Sequence, residues 1–106
     1  MTNLFKDIPV ELPEELFETL LKAPGLHIER IISRAHSTPA GEWYDQAQNE
    51  WVLVLKGGAE VRYDDGTTIR MNPGDYLEIP AHQKHRVTWT HPELDTIWLA
   101  IHFAGE

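Results

Sequence analysis

The stretch 73-PGDYLEIPAHQKHRV-87 decides how the chain folds. A Pro-Gly-Asp turn opens it, a short apolar run follows, and Pro80 ends that run. His82 and His85 come next, three residues apart. On a regular strand, residues three apart face opposite sides. The two rings converge only if residues 81–84 form a turn or bulge, which Pro80 favours. By residue type alone the pair suits metal binding, proton chemistry or the packed end of a strand.

The same rhythm of short apolar runs and turns extends in both directions. "LHIERIISRA" is β-branched and ends at the loop "HSTPAGEW". "EWVLVLKG" is valine-rich and closes on Gly57-Gly58. "AEVRY" and "TTIRM" alternate about the hairpin signal "DDG". "YLEIP", "HRVTW" and "DTIWLAIHF" complete a set of about eight short strands. Turn signals every eight to twelve residues or so predict an all-β sandwich or barrel.

The first residues read differently. In "LPEELFETLLKAPG", Leu16, Phe17, Leu20 and Leu21 recur at helical spacing behind Pro13, Glu14 and Glu15. This predicts a short N-terminal α-helix, stopped at Pro24-Gly25 and packed over the main domain. Residues 1–26 are therefore expected as an extension and 27–106 as the barrel domain.

With 106 residues the chain makes one domain. Its apolar fraction of 42% is ordinary for a globular protein, and no apolar run is long enough to span a bilayer. The N-terminus lacks the basic and apolar regions of a secretory signal, so a cytoplasmic protein is expected. The net charge of −8 disfavours nucleic acid, whose binding needs Lys and Arg to displace counterions. No basic stripe or membrane-binding segment offsets that balance. Without cysteine, disulfides and thiolate chemistry are excluded, and any metal must take nitrogen and oxygen donors. No phosphate loop or serine-centred nucleophile elbow is present.

Gly74, Pro80 and His85 stand at the spacing of the second motif of the cupin superfamily, which this chain resembles over residues 27–103. His82 occupies the position of that motif's second glycine. Of the first motif, Glu50 and Gly57 keep their spacing, while Tyr44 and Gln46 fall where the family has two histidines. The resemblance implies a jelly-roll β-barrel, a homodimer, and a divalent metal (Mn, Fe or Zn) beside a small polar metabolite. It places Glu50 and His85 at metal-ligand positions. Gln46 and His82 are added as candidate donors, His82 in place of a lost imidazole. Tyr44, Trp98 and His102 are candidate substrate-binding residues, Trp98 and His102 because they share a face of the last strand. Asp45 should point outward if its neighbours point in. The implied activities include oxygenase and isomerase, and a ligand-binding module that has lost its metal remains open.

Overall fold

The computed structural model describes residues 3–104. Eight strands carry the chain: β1 (Leu16–Ala23), β2 (Leu26–Ser33), β3 (Asn49–Lys56), β4 (Ala59–Tyr63), β5 (Thr68–Met71), β6 (Tyr76–Ile79), β7 (His85–Thr90) and β8 (Thr96–Phe103). They form a five-stranded sheet in the order β1-β2-β8-β3-β6 and a three-stranded sheet in the order β5-β4-β7. Every pairing is antiparallel. The chain adopts the all-β architecture expected from the turn spacing, in the jelly-roll form that the resemblance implies.

The expected N-terminal helix is absent, and its residues form β1, an edge strand paired with β2. A register shift between Thr19 and Leu21 explains the misreading. A bulge adds a residue and breaks the period of two. The apolar residues then fall at 16, 17, 20 and 21, which imitates a helical stripe. Pro24-Gly25 is the two-residue loop of the β1–β2 hairpin, and Gly25 takes φ 72° there. Proline followed by a positive-φ glycine is turn chemistry, which also resembles a helix stop.

The sheets meet across a core of Ile31, Val52, Val54, Trp98 and Ala100 from one side and Ala59, Val61 and Met71 from the other. Fully burying a side chain such as Val54 or Val61 contributes about 1.5–3 kcal/mol. Gly57, at φ 83°, lies where a Cβ would come within 2.5 Å of Thr96 Oγ1 and 2.7 Å of the Asp95 carbonyl oxygen. Only glycine lets β3 turn into β4 beside β8 at that distance. Among the described residues, no helix is long and apolar enough to cross a membrane.

The outer side of the five-stranded sheet is partly covered by the N-terminal segment. Arg30, only 5% exposed, donates to the carbonyls of Leu4, Lys6 and Asp7 and pairs with Glu18. Arg34 donates to the carbonyls of Pro9 and Val10 and pairs with Asp95 at 2.7 Å. Two guanidiniums thus hold a strandless segment by its backbone, satisfying carbonyls that have no sheet partner.

Candidate functional site

The inward faces of the two sheets enclose a cavity of about 80 Å³. Strand alternation selects its walls. From β3 come Glu50 and Val52, from β8 Trp98 and His102, from β2 Glu29 and Ile31, and from β7 His85 and Val87. The loop before β3 adds Tyr44 and Gln46, while Glu15 and Phe17 enter from the start of β1. Phe17 is 49% exposed and forms part of the rim.

The backbone fixes the loop residues. Tyr44 pairs with His85 through both amides, at 2.8 and 3.1 Å. The two rings stack with centroids 5.5 Å apart. Burial, reinforced by the charges of Glu15 and Glu50, raises the Tyr44 pKa and keeps its phenol protonated. Asp45 lies between two cavity residues and points out, as alternation requires.

His85 Nδ1 lies 2.9 Å from the Gln83 carbonyl oxygen, which can only accept. Nδ1 therefore carries the hydrogen, and neutral His85 turns a bare Nε2 lone pair toward Glu50 Oε1, 3.5 Å away. Both side chains are more than 90% buried. Two buried acceptors facing each other repel unless a proton or a cation lies between them. Burial alone would push the imidazole pKa down. Hydrogen bonding to Glu50 and to the Gln83 carbonyl, with the Glu50 charge, outweighs it and raises the pKa.

Across the carboxylate, His102 Nε2 lies 2.8 Å from Glu29 Oε1 and 3.8 Å from Glu50 Oε2. Glu50 is therefore flanked by two imidazoles, and His102 joins it to a second carboxylate. Gln46 Oε1 is buried and has no hydrogen-bond partner.

His82 does not enter this set, which corrects its placement among the donors. Its ring is 70% exposed and bonds Asp45 at 2.9 Å on the surface. The Pro80–Gln83 turn, closed by the Gln83 amide on the Pro80 carbonyl, puts His82 at φ 62°. That backbone region is natural to glycine, and it aims the imidazole away from the barrel. The turn thus separates the two rings. A second imidazole does reach Glu50 from β8, His102, but its Nε2 is bonded to Glu29.

Two other histidines, His36 and His91, make local backbone contacts away from the cavity. His36 accepts from the Arg34 amide and meets the Pro13 carbonyl, and His91 accepts from the amides of Glu93 and Leu94. Of the four tryptophans, Trp98 lines the cavity, with its indole N–H donating to Ser33 Oγ at 3.2 Å. Glu29 and Glu15 were not foreseen. A charged residue in register with Ile31 and Ser33 on β2 was a readable signal for Glu29. Glu15 was hidden by the helical reading of its neighbourhood.

A divalent cation suits the electrostatics of this end of the cavity. The His85 lone pair, a Glu50 oxygen and the orphaned Gln46 oxygen are all acceptors without a donor, and imidazole and carboxylate are ordinary ligands of Mn, Fe and Zn. Among the described residues, no group of three His, Cys, Asp or Glu stands ready to hold an ion. His85 and Glu50 with an amide oxygen are what the chain offers, because His102 is engaged by Glu29.

A family model for the Cupin domain matches residues 34–102. No curated protein matches the chain. Among solved structures, one from Ralstonia eutropha JMP134, named a "putative mannose-6-phosphate isomerase", is 46% identical over 99% of this chain and 98% of that one, with a TM-score of 0.95. A cupin superfamily protein from Desulfitobacterium hafniense DCB-2 is 20% identical over 92% and 84% of the two chains, with a TM-score of 0.76. The Fe(II) form of HppE in complex with substrate is 17% identical over 91% and 57%, with a TM-score of 0.72. The two more distant likenesses carry the fold alone. Family model, motif spacing and sheet order agree: the chain belongs to the cupin family.

Proposed function

We propose that the cavity binds a small polar metabolite, that Glu50, His85 and Gln46 hold a divalent cation against it, and that the reaction is an isomerisation by proton transfer. One observation carries this reading. Two buried acceptors, His85 Nε2 and Glu50 Oε1, face each other 3.5 Å apart in a cavity whose wall also holds the unpartnered Gln46, and His85 has already spent its only neutral-state donor on Gln83. A bound divalent ion supplies Lewis-acid polarisation of a ligand oxygen. The chain's own residues do the rest. Glu50 and His85 would be occupied as ligands, so the adjoining His102–Glu29 pair is left to move the proton, and Tyr44 holds the His85 imidazole plane by stacking. Val52, Val61, Ile79 and Val87 keep water from the reacting end. The name of the 46%-identical relative supports the isomerase class.

Metal analysis of untagged protein, with Mn and Zn titrations of Glu50→Ala and His85→Ala, tests the ion. A stoichiometric metal, lost in both variants, is expected. Absence of metal, with ion affinity unchanged in Glu50→Ala, sinks the metal reading.

A second reading is favoured by the pairing of His102 with Glu29, which withdraws the third good donor. Here the proton itself is the cation between His85 and Glu50, and His85 acts as general acid and base without metal. Turnover that survives a chelator and vanishes in folded His85→Ala selects it.

A further inference from the structure

The lining of the cavity contains three carboxylates, Glu15, Glu29 and Glu50, and no lysine or arginine. The chain's 9 Lys and Arg residues all lie elsewhere. Arg30 and Arg34 bind the N-terminal segment, while Arg86, which is not in the lining, gives one nitrogen to the Thr38 carbonyl and lies over Trp43, with its Nε buried and unpartnered. From this cavity, lined by three carboxylates and by Gln46, whose Oε1 is buried and unpartnered, we infer that the ligand is a small, unphosphorylated molecule presenting hydrogen-bond donors, with an amine preferred over a hydroxyl at the donor end. This inference rests on the cavity being the functional site.

The charge balance holds in either protonation or metal state. Charging both His85 and His102 leaves one carboxylate in excess of the three. A divalent ion on Glu50 and neutral His85 also leaves one negative charge. A phosphate would enter against that excess with no guanidinium or ammonium to receive it, and an uncompensated anion in a low-dielectric site is strongly disfavoured. An ammonium or hydroxyl group meets waiting acceptors instead. Glu29 spends only one oxygen on His102 in either state, and without the ion Gln46 Oε1 has no partner either. Glu15 spends one oxygen on Ser33. Tyr44, Trp98 and Phe17 add aromatic surface that tolerates a cation. Size points the same way. The 80 Å³ available is about half the roughly 150 Å³ of an apolar cavity that admits benzene, so a hexose phosphate would have to extend past the Phe17 rim. The sugar phosphate in the name of the 46%-identical relative is therefore a poor match to these walls.

Four probes test the inference by calorimetry: glycerol, 2-amino-1,3-propanediol, glycerol 3-phosphate and mannose 6-phosphate. The first three share a three-carbon frame and differ in charge. Titrations run on the metal-loaded and the chelator-treated protein. Tightest binding of the amino diol, weaker binding of glycerol and none of either phosphate is the expected order. Glu29→Gln and, separately, Glu15→Gln should lower the advantage of the amino diol over glycerol by about tenfold, the scale of a charged hydrogen bond. Two carboxylate variants guard against one failing to fold. If either phosphate binds as well as glycerol, the charge assignment is overturned while the cavity stands. If no probe binds but Mn does, the ligand class alone is wrong. If neither binds, the cavity reading falls with it.

Discussion

The two faces of the five-stranded sheet differ in kind: the inner face mixes apolar core with buried ionisable groups, and the outer face carries large half-exposed apolar side chains. On β8, Trp98, Ala100 and His102 point inward, and Leu99, Ile101 and Phe103 point outward. On β3, Glu50 and Val52 point inward while Trp51 and Leu53 point outward. The outer residues are half-exposed yet apolar, and the ionisable ones are buried. A one-sided antiparallel sheet places its polar residues in water. Burying Glu29, Glu50, His85 and His102 costs stability that apolar residues would not cost. That cost is understandable at a site, and it separates the inner face as chemistry from the outer face as covering.

Two tryptophans on opposite faces sharpen the contrast most. Trp98 is 4% exposed and hydrogen-bonded to Ser33. Trp98→Ala should destabilise by about 3–5 kcal/mol, the range for a buried aromatic. Trp51 is half-exposed and meets the exposed Tyr76 at a tilt, with centroids 5.4 Å apart. Trp51→Ala should cost about 1 kcal/mol. Urea midpoints measure both. A Trp51 loss as large as that of Trp98 would erase the distinction and show the outer face to be buried in solution.

The next effect is confined to the inner face and depends on pH. His85 has a folded pKa raised above its ordinary 6.5. Its contribution to stability is therefore complete below about pH 6.5 and lost as pH rises through the folded value. In chelator-treated protein, the urea midpoint should fall across that window and level off above it. Glu50→Gln removes the charge that raises the pKa and should flatten the profile. Ring NMR signals of His85 report the same titration directly. A His85 that titrates at or below 6.5 in the wild type would break the His85–Glu50 pairing.

How far the sequence carries follows from where these residues sit. Gly74, Pro80, His85, Glu50 and Gly57 were legible because turns and strand starts tie backbone geometry to residue type. Gly57 is a good case, since Thr96 leaves no room for a Cβ. Alternation also placed Trp98 and His102 on one face. The β1 bulge was not legible, because shifting the period by one residue makes a strand look helical. The direction of His82 was not legible either, since it depends on the sign of one φ angle. Partners from distant strands, such as Glu29 with His102 across the β2–β8 pair, appear only once register is known.

The His82 turn predicts a gain in stability. A non-glycine residue at φ 62° is strained by about 1–3 kcal/mol. The exposed bond to Asp45 returns little of that. His82→Gly should therefore raise stability by up to about 1 kcal/mol, after the extra entropy of glycine in the unfolded chain. Metal and probe binding should be unchanged, because the ring lies outside the cavity. A loss of ion affinity in His82→Gly would return this imidazole to the donor set.

The smallest effect belongs to the covering of the outer face. Hydrogen bonding from Arg34, together with the charges of Arg34 and Lys56, lowers the Asp95 pKa despite some burial. Its stabilising contribution is present above the ordinary value of 3.8 and is lost as pH falls through the folded value. Arg34 also holds the Pro9 and Val10 carbonyls, so the pair acts as a latch on the N-terminal segment. Asp95→Asn should leave the global urea midpoint nearly unchanged, because an ion pair this near the surface is screened. Hydrogen-exchange protection at residues 10–12, taken relative to the intrinsic rate at each pH, should fall at neutral pH, and the wild type should lose it only in acid. Uniform acceleration across both sheets would mean that Asp95 supports the barrel itself, and the division between a working inner face and a covered outer face would no longer hold at that end of β8.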